Sequence, residues 1–258
     1  MRTMVEIKTA AETEAMAEAG KVVAAALAAV AAHARAGVSL LELDQVARTV
    51  MDESGARSAF LGYRPSFAPT PFPAVICASV NEVIVHGIPS GYRLRDGDLL
   101  SVDFGVYLDG WAADAATSLV VGTPRAQDTE LIRTAEAALE AAIAACVPGG
   151  RLGDIGHAVT RIGRAAGYGV PDDFGGHGIG RAMHEDPHVP NRGRPGRGLP
   201  LRPGLVLAIE PMFTAGGGDG YVIAADGWTM SSADGSRAVH VEHTVAITED
   251  GPRVLTRP

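Results

Sequence analysis

The chain has 258 residues, 47% of them hydrophobic and 20% charged, and a net charge of −8. This is an ordinary composition for a soluble globular protein with a sizeable core, and the acidic balance argues against a general affinity for nucleic acid or anionic membrane. Cys77 and Cys146 make neither a disulfide framework nor a C-x-x-C, the N-terminus lacks an apolar signal core, and the longest apolar run (22–32) is too short to span a bilayer, so a cytoplasmic protein without membrane contact is expected.

Residues 11–35 are Ala-rich and acidic at their start, which predicts a long helix ending near Gly37. A second helix is expected over 39–54, with Ser39 as N-cap, Glu42 three residues later and Gly55 as the stop. Strand-like sequence follows at 74–88 and 98–122, the latter interrupted by the turn signal Asp109-Gly110. Helix 127–146 then opens a second copy of the pattern. Gly149, Leu152, Asp154, Ile155, Ile162 and Gly167 repeat Gly37, Leu40, Glu42, Leu43, Val50 and Gly55, each 112 positions further on. The loop 191–204, rich in Pro, Gly and Arg, reads as a solvated surface crossover, with a nucleic-acid or ribosome contact as the sharper alternative; strands are expected again at 204–216 and 238–248. The expectation is an α+β fold: one pseudo-symmetric domain over 1–258, with halves of roughly 11–122 and 123–248 sharing a mostly antiparallel sheet.

The stretch His184-Glu185-Asp186-Pro187-His188 satisfies the H-E-x-x-H pattern of helical zinc proteases. That chemistry needs both histidines on one continuous helix, and Pro187 between them lacks the N–H and clashes with a preceding turn, while Asp186 is pushed toward extended geometry. The motif is therefore a decoy, and His188 is expected to be a surface or loop histidine.

Other residues suit metal better. Asp103 and Asp114 flank the Asp109-Gly110 turn, so a hairpin brings them together, and Asp103 stands between Val102 and Phe104, where a lone carboxylate is costly to bury. Glu210 closes the apolar strand "LVLAIEPMF", Glu242 interrupts "AVHVEHTVAIT", and His177 lies in a Gly-rich stretch. Two Asp, two Glu and one His suit carboxylate bridging between two divalent ions, a clamp that makes hydroxide near neutral pH. Oxygen-rich ligation with one imidazole points to Mn²⁺, Fe²⁺, Co²⁺ or Zn²⁺.

In order, "CASVNEVIVHGIP", "DFGVYLDGWAAD", "GGHGIGRAMHEDP", "AIEPM" and "VEHTVAIT" resemble the type I methionine aminopeptidases, of the pita-bread (creatinase/aminopeptidase) metallopeptidase fold. The resemblance runs along nearly the whole chain and implies a pseudo-two-fold fold, in agreement with the repeat. It implies two divalent ions held by Asp103, Asp114, His177, Glu210 and Glu242, with Asp114 and Glu242 bridging and Glu210 also the proton shuttle. It implies that His184 and His86 contact the substrate, and that Tyr63, Phe72, Cys77, Met183 and Trp228 form an apolar pocket for a methionine side chain. The activity implied is removal of the initiator methionine from nascent polypeptides with a small second residue, by a monomeric cytoplasmic enzyme. Three departures stand out: Met183 where many relatives carry an aromatic residue, Gly105 in place of a hydroxyl residue, and Ala115 where Thr is common. The rival readings are an Xaa-Pro aminopeptidase or prolidase of the same fold, and a binding protein that has kept the fold without catalysis.

Overall fold

The computed structural model describes residues 5–257. The first half runs α1 (Ala10–His33), α2 (Leu40–Glu53), β1 (Arg57–Ser58), β2 (Ile76–Val80), β3 (Val83–Val85), β4 (Leu99–Leu108) and β5 (Trp111–Val120). The second runs α3 (Ala126–Ala144), α4 (Leu152–Ala165), β6 (Gly175–Gly178), β7 (Glu185–Pro190), β8 (Val206–Ile209), β9 (Met212–Thr214), β10 (Tyr221–Ile223), β11 (Met230–Ser232), β12 (Ala238–His240), β13 (His243–Thr248) and β14 (Gly251–Val254).

The helices begin where side chains can satisfy the orphan backbone donors of a first turn. Thr9 with Glu12 opens α1, and Ser39 with Glu42 opens α2, each as a full capping box. Repeat and structure agree closely in α2 and α4, two 14-residue helices whose first residues, Leu40 and Leu152, are the matched pair of the sequence repeat. Gly37, Gly55, Gly149 and Gly167 all take positive φ (90°, 67°, 86° and 82°), the conformation that favours glycine on either side of such a helix. Even the docking is copied: Leu40 N–H donates to Tyr92 O, and Leu152 N–H to Leu199 O.

Every strand pairing among the described residues is antiparallel. In one sheet β4 lies between β1 and β2 and also pairs with β5; a second has the order β14-β13-β8-β6-β7, and β10-β11-β3 and β12-β9 form two smaller ones. The one shared sheet expected from the sequence is instead divided into four, and the halves meet where β5 hydrogen-bonds the chain just before β13. Glu242 N–H donates to Ala116 O at 3.0 Å, and the buried Thr244 hydroxyl donates to Asp114 O and accepts from Asp114 N–H. Strand geometry breaks at Pro211 and Val241, between β8 and β9 and between β12 and β13, yet Val241 N–H still donates to Pro211 O at 3.2 Å and the register is the same on both sides.

Each half buries its own core. One gathers Val23, Leu43, Ile76 and Phe104, the other Leu131, Ile155, Leu207 and Val245. A third cluster, with Met16, Phe60, Phe72, Cys77, Met183 and Trp228, joins residues of both halves beside the site. By length and composition α1 could cross a membrane, although the run 22–32 alone is too short. Here it packs on α2, β4 and β5 and buries Val23, Ala26 and Val30. The loop 191–204 crosses α4 at close range: a Cβ on Gly153 would stand 2.2 Å from Arg194 O, and one on Gly156 2.6 Å from Arg192 O.

Candidate metal and peptide site

The Asp109-Gly110 turn has φ of 50° and 82°, as a tight two-residue hairpin between right-twisted strands requires. The register puts Asp103 opposite Ala116 and Gly105 opposite Asp114, so the two carboxylates are diagonal neighbours on one face. His177 comes from β6, with Ala208 on one side and His188 on the other. Its glycine neighbours are steric necessities, because a Cβ on Gly176 would lie 1.9 Å from Ala208 O and one on Gly178 2.2 Å from Asp186 O. Glu210 and Glu242 sit at the two strand breaks, where Asn191 Nδ2 donates to Glu210 O at 2.8 Å.

These five side chains line one cavity of ≈ 220 Å³, together with His86, His184 and an apolar wall that includes Tyr63, Phe72, Cys77 and Trp228. A neighbouring cavity of ≈ 280 Å³ shares His86, His177, His184 and Glu210 with it. Of the residues the resemblance placed here, Met183 alone does not reach the cavity surface. It is buried behind Phe60, its Cε 2.8 Å from where a Cβ on Gly105 would be, so two of the departures fill one another's space.

The electrostatics are those of a site built for cations. Asp103, Asp114 and Glu242 are buried, and Asp103 Oδ1, Asp114 Oδ1 and Glu242 Oε1 have no hydrogen-bond partner. Burial raises the Asp103 carboxyl to about 6, and burial with the neighbouring carboxylates raises Asp114 and Glu242 well above the usual range. Such a cluster is costly alone and is resolved by divalent charge. His177 gives its Nδ1 proton to Gly178 O at 2.9 Å, which leaves the Nε2 lone pair free, and burial lowers its pKa, as a ligand needs. Asp114, His177 and Glu242 offer donor atoms within 4.8 Å of one another, and so do Glu210, His240 and Glu242. The residues present therefore fit divalent metal.

His86 takes φ +59°, a strained conformation for a non-glycine residue, and packs edge-on to Trp228 at 5.9 Å. Burial lowers its pKa to about 4, so the ring is neutral at pH 7. His184 lies between Tyr63 (5.1 Å, stacked) and His177 (4.2 Å), and crowding of its ring followed by these histidine neighbours lowers its pKa too. Cys77, opposite Asp103 in the ladder, is a neutral thiol, because burial and then the carboxylates push it well up.

The H-E-x-x-H stretch is no helix: residues 185–190 form β7. Glu185 is tied to the buried Lys8 at 2.5 Å and to Ala182 N–H, a structural role, and His188 is exposed on a strand. The sequence reading missed Phe60, Phe67 and Val85 in the cavity wall and His240 beside the carboxylates. Only His240 carried a signal, standing two positions before Glu242 in a strand-like run.

The chain matches metallopeptidase family M24 over residues 14–249 and belongs to it. It is 50% identical to methionine aminopeptidase 1 of Mycobacterium tuberculosis (strain CDC 1551 / Oshkosh), over 99% of this chain and 96% of that one. The crystal structure of methionine aminopeptidase from Thermotoga maritima superposes with a TM-score of 0.94 at 40% identity, covering 99% of this chain and all of that one. Prolidase from Pyrococcus furiosus shares the fold (TM-score 0.76, 24% identity), with this chain covering 65% of it. The resemblance read from the five motifs and the expected α+β, pita-bread architecture are both borne out.

Proposed function

We propose that the protein removes N-terminal methionine from polypeptides with a small second residue, by metal-assisted hydrolysis of the first peptide bond. The observation that carries this reading is one cavity with two unlike walls: the unpartnered carboxylates of Asp103, Asp114 and Glu242 face the apolar side formed by Tyr63, Phe72, Cys77 and Trp228. An unbranched thioether suits that apolar side by shape and polarisability.

Asp103, Asp114, His177, Glu210 and Glu242, which line the cavity, would hold two divalent ions among Co²⁺, Mn²⁺, Fe²⁺ and Zn²⁺. When bound, such ions supply charge that makes water nucleophilic near neutral pH and polarises the scissile carbonyl. Glu210, whose side chain keeps 12% exposure, takes a proton from the attacking water and delivers it to the leaving nitrogen. His184 and His86, both neutral, donate hydrogen bonds to the developing oxyanion and to the substrate backbone. The chain beyond the scissile bond leaves through the neighbouring cavity, where a bulky second residue would crowd His86 and His184.

Nascent polypeptides are the substrate class, and a monomer in the cytoplasm is the setting. The two buried, free cysteines suit a reducing compartment. In the 191–204 loop, Arg192 is engaged with Val170 O, Asp172 and Asp219, whereas Arg194, Arg197 and Arg202 are exposed and available to a ribosomal partner.

The test is release of the first residue from a Met-Ala-Ser peptide by protein stripped of metal and then resupplied with each ion. Leu-Ala-Ser and a Met-Pro peptide run beside it. Metal-dependent release of Met, with Leu-Ala-Ser untouched and activity lost in His177→Ala and Glu210→Ala, is expected. Preference for Xaa-Pro bonds, or no cleavage by folded protein that binds metal, overturns the reading.

A further inference from the structure

Six residues line both the site cavity and its neighbour: Phe67, Val85, His86, His177, His184 and Glu210. Two of them are apolar. Val85 is 3% exposed, whereas Phe67 is 57% exposed and takes no part in the chemistry above. Its place is fixed by the backbone around it. Ala68 N–H donates to Pro65 O at 3.1 Å, closing a four-residue turn with Ser66 and Phe67 at its corners. Arg64 Nη2 donates to Pro69 O at 2.9 Å, and Trp228 Nε1 to Thr70 O at 3.0 Å. Gly227 lets Pro69 approach closely, its Cδ 2.4 Å from where a Cβ would stand. The loop is thus pinned beside a ring that meets Trp228 edge-on, centroids 5.7 Å apart, and leaves more than half of Phe67 open.

Beyond the shared residues, the neighbouring cavity is walled by Phe174, Met212, Tyr221 and Met230, with Phe174 and Tyr221 edge-on at 4.8 Å. An extended peptide advances roughly 3.3 Å per residue and its side chains alternate sides, so the first and third point the same way. With methionine in the apolar pocket and the second residue beside His86 and His184, a residue that touches both cavities is placed to meet the third side chain. We propose that Phe67, with the Phe174–Tyr221 pair opposite, forms a subsite that selects an apolar or aromatic third residue. The proposal rests on the reading of the two cavities as one peptide path.

The experiment compares Met-Ala-Phe-Ser and Met-Ala-Ser-Ser amides as substrates of the metal-loaded full chain. In the unaltered protein kcat/KM should be about 3- to 10-fold higher for the Phe peptide, the size of one aromatic contact. Phe67→Ala should bring that ratio close to one, and Phe67→Leu should keep part of it. A ratio taken on one protein cancels any general loss of activity. Equal rates in the unaltered protein overturn the proposal and need no variant. An unchanged ratio in Phe67→Ala overturns it too. So does a Phe67→Ala protein that newly cleaves a Met-Leu-Ser-Ser amide at an unchanged third-residue ratio, which would make Phe67 a guard of the second position. If neither peptide is cleaved, the proposed activity fails, and calorimetric titration with the same two peptides decides the subsite alone. Tighter binding of the Phe peptide by about 3- to 10-fold keeps it. Equal binding overturns it, and binding of neither peptide sinks both readings.

Discussion

The two halves deliver their carboxylates to the same cavity by different means. In the first, Asp103 and Asp114 sit within unbroken ten-residue strands joined by a two-residue turn, each carboxylate on a short stem from a regular ladder. In the second, Glu210 and Glu242 sit in strand breaks 32 residues apart, on longer stems, with their backbones held from outside by Asn191 and Ala116. The first half fixes position by hydrogen-bond register, the second by individual contacts. A ladder tolerates no shift to relieve a buried charge, whereas Glu210, at a break and partly exposed, can move; Glu242, at the other break, is as buried as the aspartates.

That contrast predicts opposite effects on activity and stability. Asp114→Asn removes an unpartnered charge that the ladder cannot move, so the metal-free protein gains stability, by about 1 kcal/mol, or a few degrees in Tm. Methionine release falls by more than about 100-fold, beyond the loss typical of residues that merely support a ligand. Glu210→Gln loses activity similarly but raises the metal-free Tm less. Melting curves in chelator and peptide assays with metal test both halves of the statement. An unchanged Tm in Asp114→Asn would remove the idea that the ladder holds the charge under strain.

The matched helices offer a second comparison at one repeat position. In α2, Asp44 Oδ1 accepts from the buried N–H groups of Val75 and Ile76, at 2.7 and 3.2 Å. At the corresponding place in α4, Gly156 lets the backbone of Pro190 and Arg192 come within 2.5–2.6 Å of where a Cβ would be. The Gly156→Ala methyl meets main chain on several sides and should cost about 3 kcal/mol. Asp44→Ala leaves amides unpartnered at about 1–3 kcal/mol. Urea unfolding of both variants would separate them; a Gly156→Ala cost below that of Asp44→Ala would mean that the 191–204 crossover yields easily.

Next in size is the packing between Gly105 and Met183. A Cβ on Gly105 would lie 2.8 Å from Met183 Cε, 2.9 Å from Phe60 Cε1 and 3.0 Å from Asp114 Oδ1. The methionine end is flexible, so Gly105→Ala should cost only about 1–2 kcal/mol. The cost should shrink in a Met183→Ala background, with a coupling of at least about 0.5 kcal/mol. Strict additivity in the double-mutant cycle would show that the two positions do not share space.

These comparisons also show what the sequence makes legible. An ionisable residue in an apolar strand is an anomaly visible in one dimension, and Asp103, Asp114, Glu210 and Glu242 were found that way. Matching glycines at both helix ends exposed the duplication, because positive φ is needed at the same places twice. Phe60, Phe67 and Val85 carried no such mark: an apolar residue does not reveal which apolar surface it joins. Met183 has a pocket role only by the resemblance, yet it is buried and does not line the cavity. The single shared sheet is interrupted at Pro211 and Val241, where the two segments stay hydrogen-bonded to each other but leave regular strand geometry.

The smallest predicted effect concerns the C-terminal ends of the matched helices. Asp52 near the end of α2 is exposed, but its counterpart Arg164 in α4 binds Asp219, which also accepts from Val170 N–H and pairs with Arg192. Burial pushes the Asp219 carboxyl up, while the bonds from Arg164, Val170 N–H and Arg192 pull it further down, to about 2. A carboxyl depressed in the folded state stabilises it above the unfolded value, near 3.8, and that stability is lost as pH falls through about 2. With the side chain 31% exposed, screening reduces the contribution to about 1 kcal/mol. Asp219→Asn should therefore be less stable than the unaltered protein by about that much at pH 6. The gap should narrow below pH 4 and close toward pH 2. A gap that stays constant down to pH 2 would mean that Asp219 acts through its hydrogen-bond geometry alone, and that the second half owes nothing to charge at this end.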